Sequence, residues 1–199
     1  MASKDRILRL KEETRINILD ASLDIVKEEG WQSLSMRKIA DKIEYTAPII
    51  YEYFANKEAI LMELTRKGFL ILARDMKAAK EKHRLPAKQI EAMWLAYWNF
   101  AFTQKELYQV MFGVDVNCCE LGKIMPEADA PFDLVTEVIQ EIMAPNKPTE
   151  DEICMKYYTF WSVVHGLISI NMTRRPTSEE IAHEILKTTI SGITRSLTA

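Results

Sequence analysis

No run of about 18 uncharged apolar residues occurs in the 199-residue chain, and the stretch from Met1 to Arg15 is charged throughout. That pattern predicts neither a membrane-spanning helix nor a secretory leader, so the expected location is the cytoplasm. Cysteine is scarce: there are three, two of them adjacent at Cys118 and Cys119, which is no disulfide framework. Adjacent thiols beside Glu120 could chelate a soft metal or answer an oxidant, but no histidine lies near them in sequence, and neither role is assigned. Glu180 and His183 have the spacing of a di-iron ligand pair, yet a second such pair is missing, so they read as a surface or interface pair. A Gly-rich phosphate loop, a nucleophile elbow and an HExxH zinc motif are all missing. Nothing makes a case for an enzyme or implies a cofactor. Glycine, at 6, and proline, at 7, are sparse, and long stretches carry neither. An all-α chain follows, with 48% apolar residues to fill a core.

Basic surplus is also lacking, but the net charge of −3 is unevenly spread. Residues 1–60 are near balance at −1, residues 61–84 carry +4 and residues 85–199 carry −6. Lys4, Arg6, Arg9, Lys11 and Arg15 outnumber the acids near them and form a modest basic arm within reach of a phosphate backbone. From charge alone the arm reads as a solvated, frayed terminus.

What is present is organised around Ser35 to Lys57, which reads as two short helices joined by a tight turn. Ser35 is placed to cap the first, with Ile39, Ala40 and Ile43 on its inner face and Arg37, Lys38, Asp41 and Lys42 outside. Thr46 is placed to cap the second, where Pro48 is tolerated because a first-turn amide has no helical partner. Ile50 and Phe54 stack at i, i+4 inside, leaving Ala47, Tyr51 and part of Ile49 outward. A third helix beneath them is supplied by Ile18, Leu19, Ser22, Leu23, Ile25 and Val26, starting near Lys11 and stopped by Gly30.

The order helix, Gly30, Leu34-Ser35, Arg37-x-Ile39-Ala40, turn, Ile50-Tyr51-x-Tyr53-Phe54, Asn56-Lys57-Glu58 resembles the DNA-binding domain of the TetR family of bacterial transcriptional regulators. The resemblance implies that the second helix of the pair enters the major groove while the first lies across the backbone. It also implies that Tyr51 and Lys57 hold phosphates and that Arg37 reaches backbone or a base edge. Lys57 suits that task physically, beside the freed amides that open the next helix. Where the family has a small residue followed by Val-Ser at the turn, Glu44, Tyr45 and Thr46 stand here. The groove-facing set is poor in hydrogen-bonding groups. Ala47 and Ile49 can meet thymine methyls, Thr46 offers a hydroxyl or methyl, and Glu52 offers the one charged acceptor. Sequence preference is therefore expected from apolar contacts, Arg37 and DNA shape. Ser35, Arg37, Thr46, Ala47, Pro48, Ile49, Tyr51 and Lys57 form the candidate DNA-binding set.

Beyond Asn56, which caps it, a long helix runs from Lys57 to about Lys82, and its periodicity breaks around His83-Arg84-Leu85-Pro86. Three parts result: a helix-turn-helix head at 1–56, a connecting helix at 57–84 and a helical bundle at 85–199. Helices are expected at 89–103, 107–112, 132–143, 149–172 and 178–197. Thr149 with Glu152 has capping-box form, and Asn117 to Ala130 reads as a loop or broken helix. Glu106-Leu107-Tyr108-Gln109-Val110-Met111-Phe112 and Trp161-Ser162-Val163-Val164-His165-Gly166-Leu167 resemble a ligand-domain subgroup of TetR-like regulators named for its Trp-His-Gly pattern.

Trp94, Trp98, Met111, Phe112, Met125, Phe132, Trp161 and His165 are the candidates for a cavity between bundle helices. Each alone is more often an ordinary core residue. His165 reads more readily as a buried histidine bonded to a backbone carbonyl than as a ligand-orienting group. A head this small reads too few base pairs alone, so a homodimer is expected. The resemblance implies that the last two long helices pair with their copies as a four-helix bundle. Two reading helices would then meet successive major grooves of a palindromic operator about 34 Å apart. A small apolar or aromatic effector would release the DNA by stabilising another bundle packing. The alternative from another class is a helical protein-interaction or scaffold protein without a specific operator.

Overall fold

The computed structural model describes residues 2–113, 125–174 and 178–198. Cys118, Cys119 and Glu120 lie outside them. The described residues form nine α-helices: α1 Ala2–Glu29, α2 Met36–Lys42, α3 Ala47–Tyr53, α4 Lys57–Lys80, α5 Pro86–Thr103, α6 Lys105–Gly113, α7 Ala130–Met143, α8 Glu150–Thr173 and α9 Glu179–Arg195. Short 3-10 turns occupy Trp31–Ser33, Pro126–Ala128 and Ala144–Asn146. The all-α expectation holds for the described residues, and none of their helices is long and apolar enough to cross a membrane.

Local chemistry accounts for most helix ends. Ser35 accepts from the Lys38 amide at 3.3 Å and Asn56 Oδ1 from the Ala59 amide at 2.8 Å. Thr149 and Glu152 form the expected capping box, with the Thr149 amide donating to Glu152 Oε2 at 2.8 Å. Gly30 stops α1 at φ 84°, a value other residues reach only under strain. Thr46 is the exception, because its side chain caps nothing. A capping oxygen accepts from the second or third helical amide; Pro48 has none, and the Ile49 amide bonds the Thr46 carbonyl instead at 3.0 Å. The start of α1 is also corrected: the helix begins at Ala2, not near Lys11, and the arm is not frayed. No glycine or proline interrupts residues 2–29, so a helix anchored at Ile18 propagates backward.

The chain packs as two units, Met1–Gly68 with Gln104–Asn117, and Phe69–Thr103 with Cys118–Ala199. This division follows packing and assigns α6 to the first unit, whereas the boundaries at 56 and 84 follow breaks along the sequence. In the first unit α1 packs on α2, on the Trp31 turn and on α6. Its core is Ile18, Ser22, Val26, Leu34, Ile39, Ile50, Phe54, Ile60 and Leu64, all buried. Arg15 bonds Glu63 at 3.1 Å and Lys67 bonds Asp20 at 3.0 Å, fastening α4 to α1. Burial pushes the Glu63 carboxyl up, but hydrogen bonds from Arg66 and Arg15 outweigh it and hold the group below its usual value. In the second unit α5 touches α7, α8 and α9, with α7 on α8 and α8 on α9. Trp94, Phe100, Val135, Ile139, Phe160, Val164, Ile168, Leu186 and Ile190 are buried there.

Candidate functional site

The first candidate surface is α2, α3 and the turn between them. Met36, Ile39 and Ala40 lock α2 inward, and Ile50 and Phe54 do the same for α3. Glu44, in the turn, adopts φ 58°. Its amide bonds Asp41 O at 3.4 Å and the Tyr45 amide bonds Ala40 O at 2.9 Å, the two bonds of a Schellman stop. The position suits glycine, and a glutamate occupies it at some backbone cost.

With its inner side sealed, α3 shows Thr46, Pro48, Tyr51 and Glu52 to solvent, with Ala47 and Ile49 half-buried. Tyr51 is 55% exposed. Arg37 is exposed on α2, while its neighbours are tied back to α1: Lys38 to Glu29, and Lys42 to Glu28 at 2.9 Å. The Glu28 hydrogen bond raises the Lys42 pKa. Among the described residues Arg37 makes no ion pair, so it is the cation this face can spend on a partner. Lys57 is half-buried and engaged, donating from Nζ to the Gln32 carbonyl at 3.0 Å and lying 5.9 Å from the Trp31 ring centroid. Ser35 is occupied as the α2 cap. All eight residues of the DNA-binding set lie in the first unit.

The eight candidates for a ligand cavity divide between the units. Met111 and Phe112 lie on α6 in the first, Met111 against Gly68 and the Phe112 ring 4.8 Å from Tyr108. The other six belong to the second. Trp94 is the centre of an aromatic group, stacked on Phe160 at 5.6 Å and edge-on to Tyr97 at 5.7 Å, with Tyr157 at 5.9 Å. Phe132 joins through Tyr157 at 4.6 Å, and Trp161 and His165 stand 4.9 Å apart. Trp98 turns elsewhere, to Phe102 at 4.7 Å and His183 at 5.9 Å. Met125 is buried.

Tyr97, absent from the candidate set, is the polar hub of this group. Trp161 Nε1 donates to Tyr97 Oη at 3.2 Å, and Oη lies 3.1 Å from His165 Nδ1. A Tyr97 oxygen that accepts from Trp161 has its own proton to give to a neutral His165. The histidine therefore has Tyr97 as a side-chain partner. Burial lowers its pKa, which favours the neutral ring. Burial likewise raises the Tyr157 phenol, keeping it protonated. The aromatic spacings 94, 97, 98 and 157, 160, 161, 165 were the available signal for facing stripes. Trp94 Nε1 is buried without a hydrogen-bond partner. Two surface hollows of about 330 Å³ lie elsewhere, one between α5 and α9 beside Lys88, Leu95 and Ile190, one beside Ala79, Leu95 and Phe100. Among the described residues no group of three or more His, Cys, Asp or Glu is placed to hold a metal.

Two family models match the chain. One, described as "Bacterial regulatory proteins, tetR family", covers residues 18–64, and the other, "Tetracyclin repressor-like, C-terminal domain", covers residues 90–190. The HTH-type transcriptional regulator BetI of Burkholderia thailandensis is 26% identical over 153 residues, 62% of this chain and 75% of BetI. A protein of unknown function from Rhodococcus sp. RHA1 shares the fold with a TM-score of 0.78 at 19% identity, over 93% of this chain and 95% of that one. Thermus thermophilus FadR, a transcriptional repressor solved in complex with lauroyl-CoA, gives a TM-score of 0.63 at 16% identity over 92% of each chain.

Proposed function

This chain belongs to the TetR family of bacterial regulatory proteins, and from that premise we propose that it represses transcription as a homodimer on a palindromic operator and leaves it when a small apolar or aromatic effector binds. Membership makes it a DNA-binding transcriptional regulator; operator form, dimer and effector are our reading. One observation carries it: the inner edge of α3 is sealed by Ile50 and Phe54, while Tyr51, Thr46 and Pro48 on its other side are exposed, with no element of the described residues over them. In this reading α3 enters the major groove, Ala47 and Ile49 meet apolar base edges, and Ser35, Arg37, Tyr51 and Lys57 line the backbone side.

The dimer reading rests on α8 and α9, which leave Met155, Tyr158, Val163, Ile170, Ile181 and Ile185 exposed. Exposed apolar residues on two adjacent helices suit a second copy of the chain. The effector reading rests on Trp94. Its buried indole N–H has no acceptor, which costs about 1–3 kcal/mol and would be relieved by a ligand bearing one. The Trp161, His165 and Gly166 pattern supports placing the bundle near the Trp-His-Gly group of ligand domains. Repression and the binding of a small molecule are carried over from the Thermus thermophilus repressor in complex with lauroyl-CoA; release on binding is our reading, and it can operate only as far as the effector prefers one bundle packing over another.

Capture of sheared genomic DNA by the purified protein, followed by sequencing at two salt concentrations, tests the reading. Enrichment of a few palindromic sites that survive the higher salt supports it. Capture that is sequence-blind and vanishes with salt overturns specific operator binding and favours a protein-interaction role.

A further inference from the structure

The first three turns of α1 play no part in the fold of the head. Every residue from Lys4 to Glu13 is exposed, and Ile7, Leu8 and Leu10 are 52%, 64% and 51% exposed. The helix is first gripped at Arg15, which bonds Glu63 at 3.1 Å and lies 5.2 Å from the Phe54 ring at the end of α3. From there Lys4 lies about 16 Å back along the axis, the length of about five base-pair steps.

This overhang has a pattern. Ile7 and Leu10, at i and i+3, make an apolar strip. Arg6, with Arg9 further round, borders it on one side, and Lys4 and Lys11 border it on the other. Asp5 and Glu12 lie on the opposite face. Between Lys4 and Lys11 there are four cations and one acid. Over Lys4 to Lys11 an apolar strip with cations on both flanks and its one acid behind matches sugars between two phosphate rails, while Glu13, at the base of the overhang, falls on the Arg6 side. A second copy of the same face would bring like charges together.

We infer that the α1 overhang is a second DNA contact, lying against the sugar-phosphate backbone beside the half-site that α3 reads. This rests on the proposed reading of α3 and extends it, since the overhang belongs to the same packed unit. Its partner is duplex DNA flanking the operator core, held by charge and by Ile7 and Leu10 against sugar faces. It adds affinity and footprint length and reads no bases.

The test uses the full chain and a captured operator prepared at two lengths, with and without ten flanking base pairs on each side. The K4Q/R6Q/R9Q/K11Q variant and the I7S/L10S variant are compared with wild type. The expected result is that trimming the flanks weakens wild type about tenfold and leaves the glutamine variant unchanged. The salt slope of that variant is expected to be shallower by about two to three per protomer. The serine variant is expected to lose several-fold on the long duplex only. Circular dichroism and thermal melting establish that both variants are folded. Wild-type affinity and salt slope in the glutamine variant on the long duplex overturn the inference while α3 keeps its role. Failure of wild type to enrich any operator overturns the reading of α3 itself. Cosedimentation of wild type with phosphatidylserine vesicles, lost in the glutamine variant while operator binding is unchanged, reassigns the overhang to a membrane surface and overturns it as a DNA contact.

Discussion

Gly68 of α4 and Met111 of α6 meet so closely that a Cβ on the glycine would stand 2.4 Å from the Met111 sulfur and 2.9 Å from its Cγ. Any larger residue there would force the Met111 side chain to shift, while the glycine backbone itself is plain helix. Met111, an expected cavity residue, packs against Gly68 within the first unit.

Gly68→Ala is therefore expected to destabilise by about 1–3 kcal/mol despite the better helix propensity of alanine. Met111→Ala alone should cost about 2–5 kcal/mol through the cavity it leaves. The double variant should cost less than the two together, because the alanine methyl enters the space the methionine vacates. Urea denaturation of the four proteins checks this, and strict additivity would show that the contact is not the constraint.

Tyr51 and Lys57 were paired as phosphate holders by the family resemblance, but their surroundings separate them. Tyr51 is exposed, so Tyr51→Ala should weaken DNA binding about fivefold to tenfold on every sequence with an unchanged melting temperature. Lys57 already bonds the Gln32 carbonyl and faces Trp31, so Lys57→Ala should lower the melting temperature by a few degrees as well as the affinity. Binding titrations beside thermal melts decide it.

Glu44 carries a left-handed backbone between the two short helices at φ 58°. Glu44→Gly is expected to stabilise the protein by about 1 kcal/mol, because glycine meets no Cβ penalty in that Schellman turn. A loss of stability in chemical denaturation would mean that the glutamate side chain offsets its own strain.

Ser35, Asn56 and the Thr149–Glu152 box were legible in the sequence because a cap needs only residues three apart, and the same locality exposed Ile50 and Phe54 as the inner face of α3. Thr46 misled because its cap depends on an amide that Pro48 lacks. The Ala2 start of α1 was missed because charge density is a poor guide to order when no glycine or proline stops a helix. Tyr97 was invisible as a hub because its partners, Trp161 and His165, lie 64 and 68 positions along the chain. Pairings at that separation belong to bundle packing, which periodicity alone does not register.

His165 gives the bundle a pH dependence with a definite sign. Its folded pKa lies below the usual 6.5 because burial disfavours the imidazolium. The unfolded chain therefore binds more protons as the pH falls below about 6.5, and the folded state loses stability from there down through the folded pKa. Thermal melts between pH 7.5 and 5 should show a steeper loss in wild type than in His165→Gln, whose side chain does not titrate. Parallel curves would mean that this ring contributes nothing to the linkage.

Gly166 on α8 and Gly192 on α9 differ from Gly68 in that a Cβ at either would meet nothing within 4 Å in the protomer. Within one chain, Gly192→Ala should be neutral or stabilising by up to about 1 kcal/mol, the ordinary helix gain. The same α8 and α9 faces carry the exposed apolar residues assigned to a second copy. There, space left open by glycine lets two helices approach closely, and a branched side chain would hold them apart. Gly166→Leu and Gly192→Leu are thus expected to leave the circular dichroism of the protomer intact while raising the dimer dissociation constant tenfold or more. Sedimentation velocity across a concentration series reads that constant. Because each half of a palindrome must be held by one copy, operator affinity should fall in the same variants. Leucine variants that dimerise like wild type would place the two-fold contact elsewhere on the molecule.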